Sequence, residues 1–214
     1  KFIITLLVFI LNSCSLSGNQ NLLGDDFRLF KNTTAWPLAV AVDNEDTAEI
    51  RKQILCKKIP VDFKEKKFGQ LFALYEAVFT DFEKVKLLIA KGADVNYQTE
   101  EMPKGGAAQA AFYAVRMDIL YYLITHGYNV HSKFSELNFS DYSTIDVDIC
   151  HKLRYCIYPI DSIQYKYKLL VINELSKRGM DYRSSKIPEN AIEIIKKDEQ
   201  LYRSIGLENY LKKY

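Results

Sequence analysis

Histidine is scarce in this chain, with three residues among 214, and so are cysteine with four, proline with five and tryptophan with one. The three histidines, His126, His131 and His151, fall in no zincin spacing, phosphate loop or nucleophile elbow, and the chain is expected to be neither an enzyme nor a cofactor carrier. Five prolines and nine glycines exclude a collagenous or low-complexity chain. No charge sign is in surplus: 29 Lys and Arg against 27 Asp and Glu leave a formal charge of +2. That balance gives no argument for a polyanionic partner, so no nucleic acid is expected. A hydrophobic content of 48% excludes wholesale disorder, and 26% charged residues exclude a mostly membrane-buried protein. Fifteen Tyr and twelve Phe suggest a Tyr-lined surface as well as a core.

Long apolar runs are also rare, and the one that stands out is residues 2–11, preceded by Lys1. It reads as a secretory signal over residues 1–13 and is shorter than the roughly 20 residues a membrane span needs. Leu11-Asn12-Ser13-Cys14 resembles the lipobox of bacterial lipoproteins. That resemblance implies cleavage before Cys14, acylation of its thiol and amine, and anchoring in a lipid bilayer, with residues 14–24 as a lipidated tether. Ser15 after the cysteine resembles lipoproteins sent to the outer membrane, which implies an envelope address facing the periplasm. An oxidising compartment permits a Cys150–Cys156 bridge, while Cys56, beside Leu55, reads as a buried small hydrophobe in a helix. Cys150, His151, Cys156 and His131 offer zinc-type donors without a structural-site spacing, and no metal is expected.

Internal similarity is the strongest organising signal. Leu88-Ile89-Ala90-Lys91-Gly92-Ala93-Asp94-Val95-Asn96 aligns with Leu123-Ile124-Thr125-His126-Gly127-Tyr128-Asn129-Val130-His131 and with Leu175-Ser176-Lys177-Arg178-Gly179-Met180-Asp181-Tyr182-Arg183. A degraded copy, Ile54-Leu55-Cys56-Lys57-Lys58-Ile59-Pro60-Val61-Asp62, places Lys58 at the glycine position. The pattern resembles the ankyrin repeat, which implies an all-α solenoid of stacked helix pairs with hairpin loops. Units are expected at about 36–66, 67–99, 103–135 and 157–185, within a domain of residues 25–214. An irregular insertion is expected within 132–157 and a C-terminal cap at 186–214. Helices are expected over 37–42, 49–55, 71–79, 83–91, 107–115 and 118–125, with a fourth pair marked by Ile163, Leu169, Leu170, Ile172 and Leu175. Pro188 and Glu189 open a further helix, and Gly206 precedes a last short segment.

The ankyrin resemblance implies protein binding through hairpin tips and the concave face of the inner helices. Carried over by position, the tip residues are Lys64, Lys66 and Lys67, then Tyr97, Glu100 and Glu101, then Phe134. Tyr75, Tyr113 and Arg116 are the inner-helix candidates, since Tyr and Arg combine buried area with polar specificity. The acidic, aromatic insertion adds Tyr142; it either carries specificity or folds back over neighbouring units, and its alternating apolar residues also permit a short strand. Address and scaffold together resemble small ankyrin lipoproteins that act as immunity partners of interbacterial toxins. The implied partner is a secreted phospholipase or another toxin acting in the periplasm. The other readings are an envelope scaffold organising a resident complex or stress defence, and an enzyme with a cryptic site in the insertion.

Overall fold

The computed structural model describes residues 27–44, 46–60, 78, 81–98, 106–137 and 143–214. The signal, the tether with Cys14, the expected helix over 71–79 (apart from Val78) and the residues Lys64, Lys66, Lys67, Tyr75, Glu100, Glu101 and Tyr142 lie outside them. The described part is mostly helical. It comprises α1 (Trp36–Asp43), α2 (Thr47–Leu55), α3 (Phe82–Ala90), α4 (Ala107–Tyr113), α5 (Met117–Thr125), α6 (Ile149–Arg154), α7 (Ile163–Lys177), α8 (Glu189–Lys197) and α9 (Leu207–Lys213). A two-stranded antiparallel sheet, β1 (Phe134–Leu137) and β2 (Thr144–Val147), sits between α5 and α6, with Phe134 opposite Val147 and Glu136 opposite Ile145.

Local chemistry explains where these helices begin. Pro37 occupies the first turn of α1, where its missing N–H goes unmissed. Side-chain oxygens accept otherwise orphaned amides at four other starts: Asp46 from Glu49 at 2.9 Å, Asp81 from Glu83 at 3.0 Å, Asp148 from His151 at 2.8 Å and Ser162 from Tyr165 at 3.1 Å. α5 lacks a cap of its own. Gln164, at the start of α7, supplies one across the fold by accepting the Met117 amide at 3.0 Å.

The helix ends carry one recurring device. Gly92, Gly127 and Gly179 have φ of 95°, 103° and 81°. In each case the following amide reaches back to a leucine carbonyl: Ala93 to Leu88 at 3.1 Å, Tyr128 to Leu123 at 3.0 Å, and Met180 to Leu175 at 3.0 Å. Each glycine amide also donates, to Ile89, Ile124 and Ser176 respectively, which completes a Schellman turn. The three leucines are fully buried. Two residues past each glycine an Asx side chain accepts a second local amide: Asp94 from Asn96 at 2.9 Å, Asn129 from His131 at 3.1 Å and Asp181 from Arg183 at 2.9 Å. Lys58 also has positive φ, 54°, but its closing bond runs from Ile59 to Gln53, one residue longer than in the other turns.

Neighbouring turns are strapped together. Asn96 donates to the Gly127 carbonyl at 3.0 Å and accepts the Asn129 amide at 2.6 Å. Arg178 reaches the carbonyls of Ile124 at 2.6 Å and Tyr128 at 3.2 Å. α1 packs on α2, α4 on α5, and α5 on α7. Their apolar sides form one core that runs from Phe30 to Tyr182, covered at the start by Phe27 stacked on Trp36 at 5.5 Å. A smaller apolar centre of Ile195, Leu201, Tyr210 and Tyr214 lies under α8 and α9.

Three expectations are corrected. Residues 163–177 form one continuous helix rather than a pair, and Pro159 sits in a turn closed by the Ser162 amide at 2.9 Å. The helix preceding α7 is α6, inside the range assigned to the insertion. The extra residues therefore fall in two places. Gly127 to Ile149 spans 22 residues where Gly92 to Ala107 spans 15, and Ile149 to Gly179 spans 30 where Ala107 to Gly127 spans 20. Second, Cys150 and Cys156 are both free thiols. Cys150 is buried within α6, while Cys156 follows its end and is half-buried. Cys56 is a further correction: it caps the end of α2 beside the half-exposed Leu55 and is itself exposed, not buried.

Candidate protein-binding face

β1 and β2 bring α4 and α6 to one mixed aromatic and charged surface. Lys152 on α6 lies with its ammonium 5.7 Å from the Tyr113 ring centre and 5.9 Å from that of Phe112, both at the end of α4. The same ammonium pairs with Glu136 of β1 at 2.8 Å, and His151 approaches Glu136 at 3.7 Å. His151 meets Tyr155 edge to face at 5.3 Å. Ile145 stands opposite Glu136 across the sheet. Tyr113 is 57% exposed, Tyr155 42% and Ile145 46%, so three large apolar groups surround a half-covered ion pair. A Tyr-rich centre with a polar network around it is the composition that concentrates binding energy at protein interfaces.

The backbone beside Tyr113 is unusual. Val115, between α4 and α5, has φ of 57° and is 49% exposed. A β-branched residue in the left-handed region costs about 1–2 kcal/mol, and such strain is concentrated where function holds it in place.

Four sequence candidates fall on described residues, and the structure separates them. Tyr113 lies on the face. Arg116 does not offer a free guanidinium: its Nε and a terminal nitrogen both bond Asp118, at 2.9 Å and 2.8 Å, and this hydrogen bond raises its already high pKa. Tyr97 is half-buried against the core, and its carbonyl oxygen occupies the space a side chain at Gly106 would need. Phe134 is a correction: it is 1% exposed, because as the first residue of β1 it turns inward against Phe112 at 5.4 Å. It is core, not a loop tip. Lys152 and Tyr155 belong to no run that the sequence marks for binding, whereas Glu136 closes the expected tip run 132–136. Asp148, three residues before the His151 amide it caps, is the signal that would have announced α6 and its exposed side.

Among the described residues no three His, Cys, Asp or Glu side chains converge as a metal site. His126 is held within its own helix, stacked on Tyr122 at 3.7 Å with Nδ1 2.8 Å from the Tyr122 carbonyl. No helix of the described residues is long and apolar enough to cross a membrane. No protein-family model, curated protein or solved structure matches the chain.

Proposed function

We propose that this chain is an ankyrin-type repeat protein that binds another protein through the face formed by Tyr113, Ile145, Tyr155 and the Lys152–Glu136 pair. The observation that carries the repeat reading is the same Schellman and Asx turn at Gly92, Gly127 and Gly179, with a looser version at Lys58. A rigid stack of this kind needs no induced pocket to bind. It presents an extended face whose cost in lost mobility is small. We further propose that the partner is a toxic enzyme acting in the bacterial envelope, with a secreted phospholipase as the leading class, and that binding occludes it. An acylated Cys14 would hold the protein at the threatened bilayer and raise its local concentration there. This reading assigns the chain no catalytic step and no cofactor.

The test uses the protein starting at Cys14 against a panel of secreted phospholipases, read by binding and by residual lipase activity. One enzyme is expected to bind and lose activity. The double variant Tyr113→Ala, Tyr155→Ala is expected to weaken that binding by about tenfold or more while leaving the fold intact, as loss of two aromatic anchors implies. No inhibited enzyme in the panel would sink the phospholipase reading. An unchanged affinity in the double variant would remove this face from the interface.

A further inference from the structure

Two cations are buried in one aromatic cage where the C-terminal segment meets α6 and α7. Lys168 of α7 is 1% exposed and Arg154 of α6 is 4% exposed. The Arg154 guanidinium carbon lies 3.9 Å from the Tyr182 ring centre and 5.9 Å from that of Tyr214. The Lys168 ammonium lies 3.8 Å from the Tyr214 ring centre and 5.5 Å from that of Tyr182. The same two rings therefore serve both cations.

Their hydrogen bonding is unequal. Arg154 donates to the main-chain oxygens of Tyr214 at 2.6 Å and Tyr182 at 2.9 Å. Lys168 donates to the Cys156 carbonyl at 2.9 Å, and no carboxylate among the described residues pairs with it. The other titratable groups around the cage are the Cys156 thiol and the phenols of Tyr158, Tyr165, Tyr182, Tyr210 and Tyr214. Burial pushes all of them upward, so they stay protonated and neutral near pH 7. Lys168 is the one member of the cage that can relieve the crowding by losing a proton.

The lid of this cage is the end of the chain described. The Tyr214 hydroxyl donates to the Arg154 carbonyl, and the Tyr210 hydroxyl donates to the Tyr158 carbonyl at 2.7 Å. These bonds join α9 to residues more than 50 positions earlier. We propose that residues 198–214 form a proton-linked clasp, which closes over the α6–α7 unit as Lys168 gives its proton to solvent. A charged Lys168 inside the closed cage would share two rings with Arg154, with no Asp or Glu side chain among the described residues paired to it. An open clasp returns the amine to water and uncovers Ile195, Leu201 and Tyr210.

The sign of the pH dependence follows. Burial pulls the Lys168 amine down to about 7 in the closed form, against about 10.4 for a solvated lysine. The open form binds more protons, so raising the pH through this interval tightens closure by up to about tenfold per unit. Below about pH 7 the effect levels off, because both forms are then protonated. Above about pH 9 it reverses, since the Cys156 thiol and the phenols ionise more readily in the open form.

Hydrogen exchange of amides 207–214, corrected for intrinsic chemistry, tests this at pH 7.0 and 8.5. Protection is expected to rise about tenfold in the natural protein and to stay level in Lys168→Met, which keeps the length and removes the titration. Level protection in the natural protein, or the same rise in Lys168→Met, overturns the proposal. Should Lys168→Met fail to fold, the Lys168 Cε resonance of the natural protein decides. A titration midpoint near 7 supports the clasp, and one above 9 overturns it.

Discussion

Arg154→Ala is expected to lower the unfolding free energy by about 3–5 kcal/mol, the range for breaking a buried charged network. Several losses coincide at this residue. The Tyr182 and Tyr214 main-chain oxygens lose charge-assisted bonds of 2.9 Å and 2.6 Å in a buried setting, each loss of a partner being worth about 1–3 kcal/mol. The Tyr182 ring, 3.9 Å from the guanidinium, loses its stacking partner, and the emptied volume cannot refill from the rigid α6 backbone. At about 2–4 °C per kcal/mol for a chain of this size, the melting temperature should fall by about 10 °C. Urea denaturation followed by circular dichroism measures it. A loss under about 1 kcal/mol would mean that the C-terminal segment is not held as described.

Gly106→Ala should cost about 2–3 kcal/mol for a different reason, overpacking against main chain. A Cβ at this position would overlap the Tyr97 carbonyl oxygen and lie 3.3 Å from the Tyr97 carbonyl carbon. Neither atom belongs to a flexible side chain, so the backbone before α4 must move. Conformation is not the issue, since Gly106 is extended with φ of −158°. Gly92→Ala is the informative comparison: nothing lies within 4 Å of its Cβ position, and only the positive φ opposes it. Calorimetry of both variants is expected to show the larger loss at Gly106, and the reverse order would contradict this account of the close approach.

The parts of the fold written in local chemistry were legible in the sequence. A Schellman turn demands a residue tolerant of positive φ one step past the helix, and Gly92, Gly127 and Gly179 announce that demand directly. The boundaries of α3 and α5 follow to within a residue. Where a turn uses an unsuitable residue, the signal is weak, as at Lys58, or gone, as at Val115. Tyr158-Pro159 resembles a helix start in the sequence, yet Ser162 supplies the cap that starts α7. Phe134 could not be assigned to the core from its position, because strand pairing with Val147 depends on residues 13 places away. The Arg154 and Lys168 cage was invisible for the same reason on a larger scale: its contacts join residues up to 60 positions apart. On the proposed face, Tyr113 enters through the ankyrin resemblance, whereas Lys152 and Glu136 meet only once the sheet has formed.

The central claim proposed above is that the turn closed by Gly92, Gly127 and Gly179 recurs in a looser form at Lys58. Lys58→Gly tests it most directly, by chemical denaturation alongside Gly127→Ala. Only a left-handed turn at residue 58 rewards glycine there; in a helix or strand the same change is unfavourable. The account predicts a gain of about 1 kcal/mol for Lys58→Gly and a loss of similar size for Gly127→Ala. A loss of stability in Lys58→Gly would contradict it.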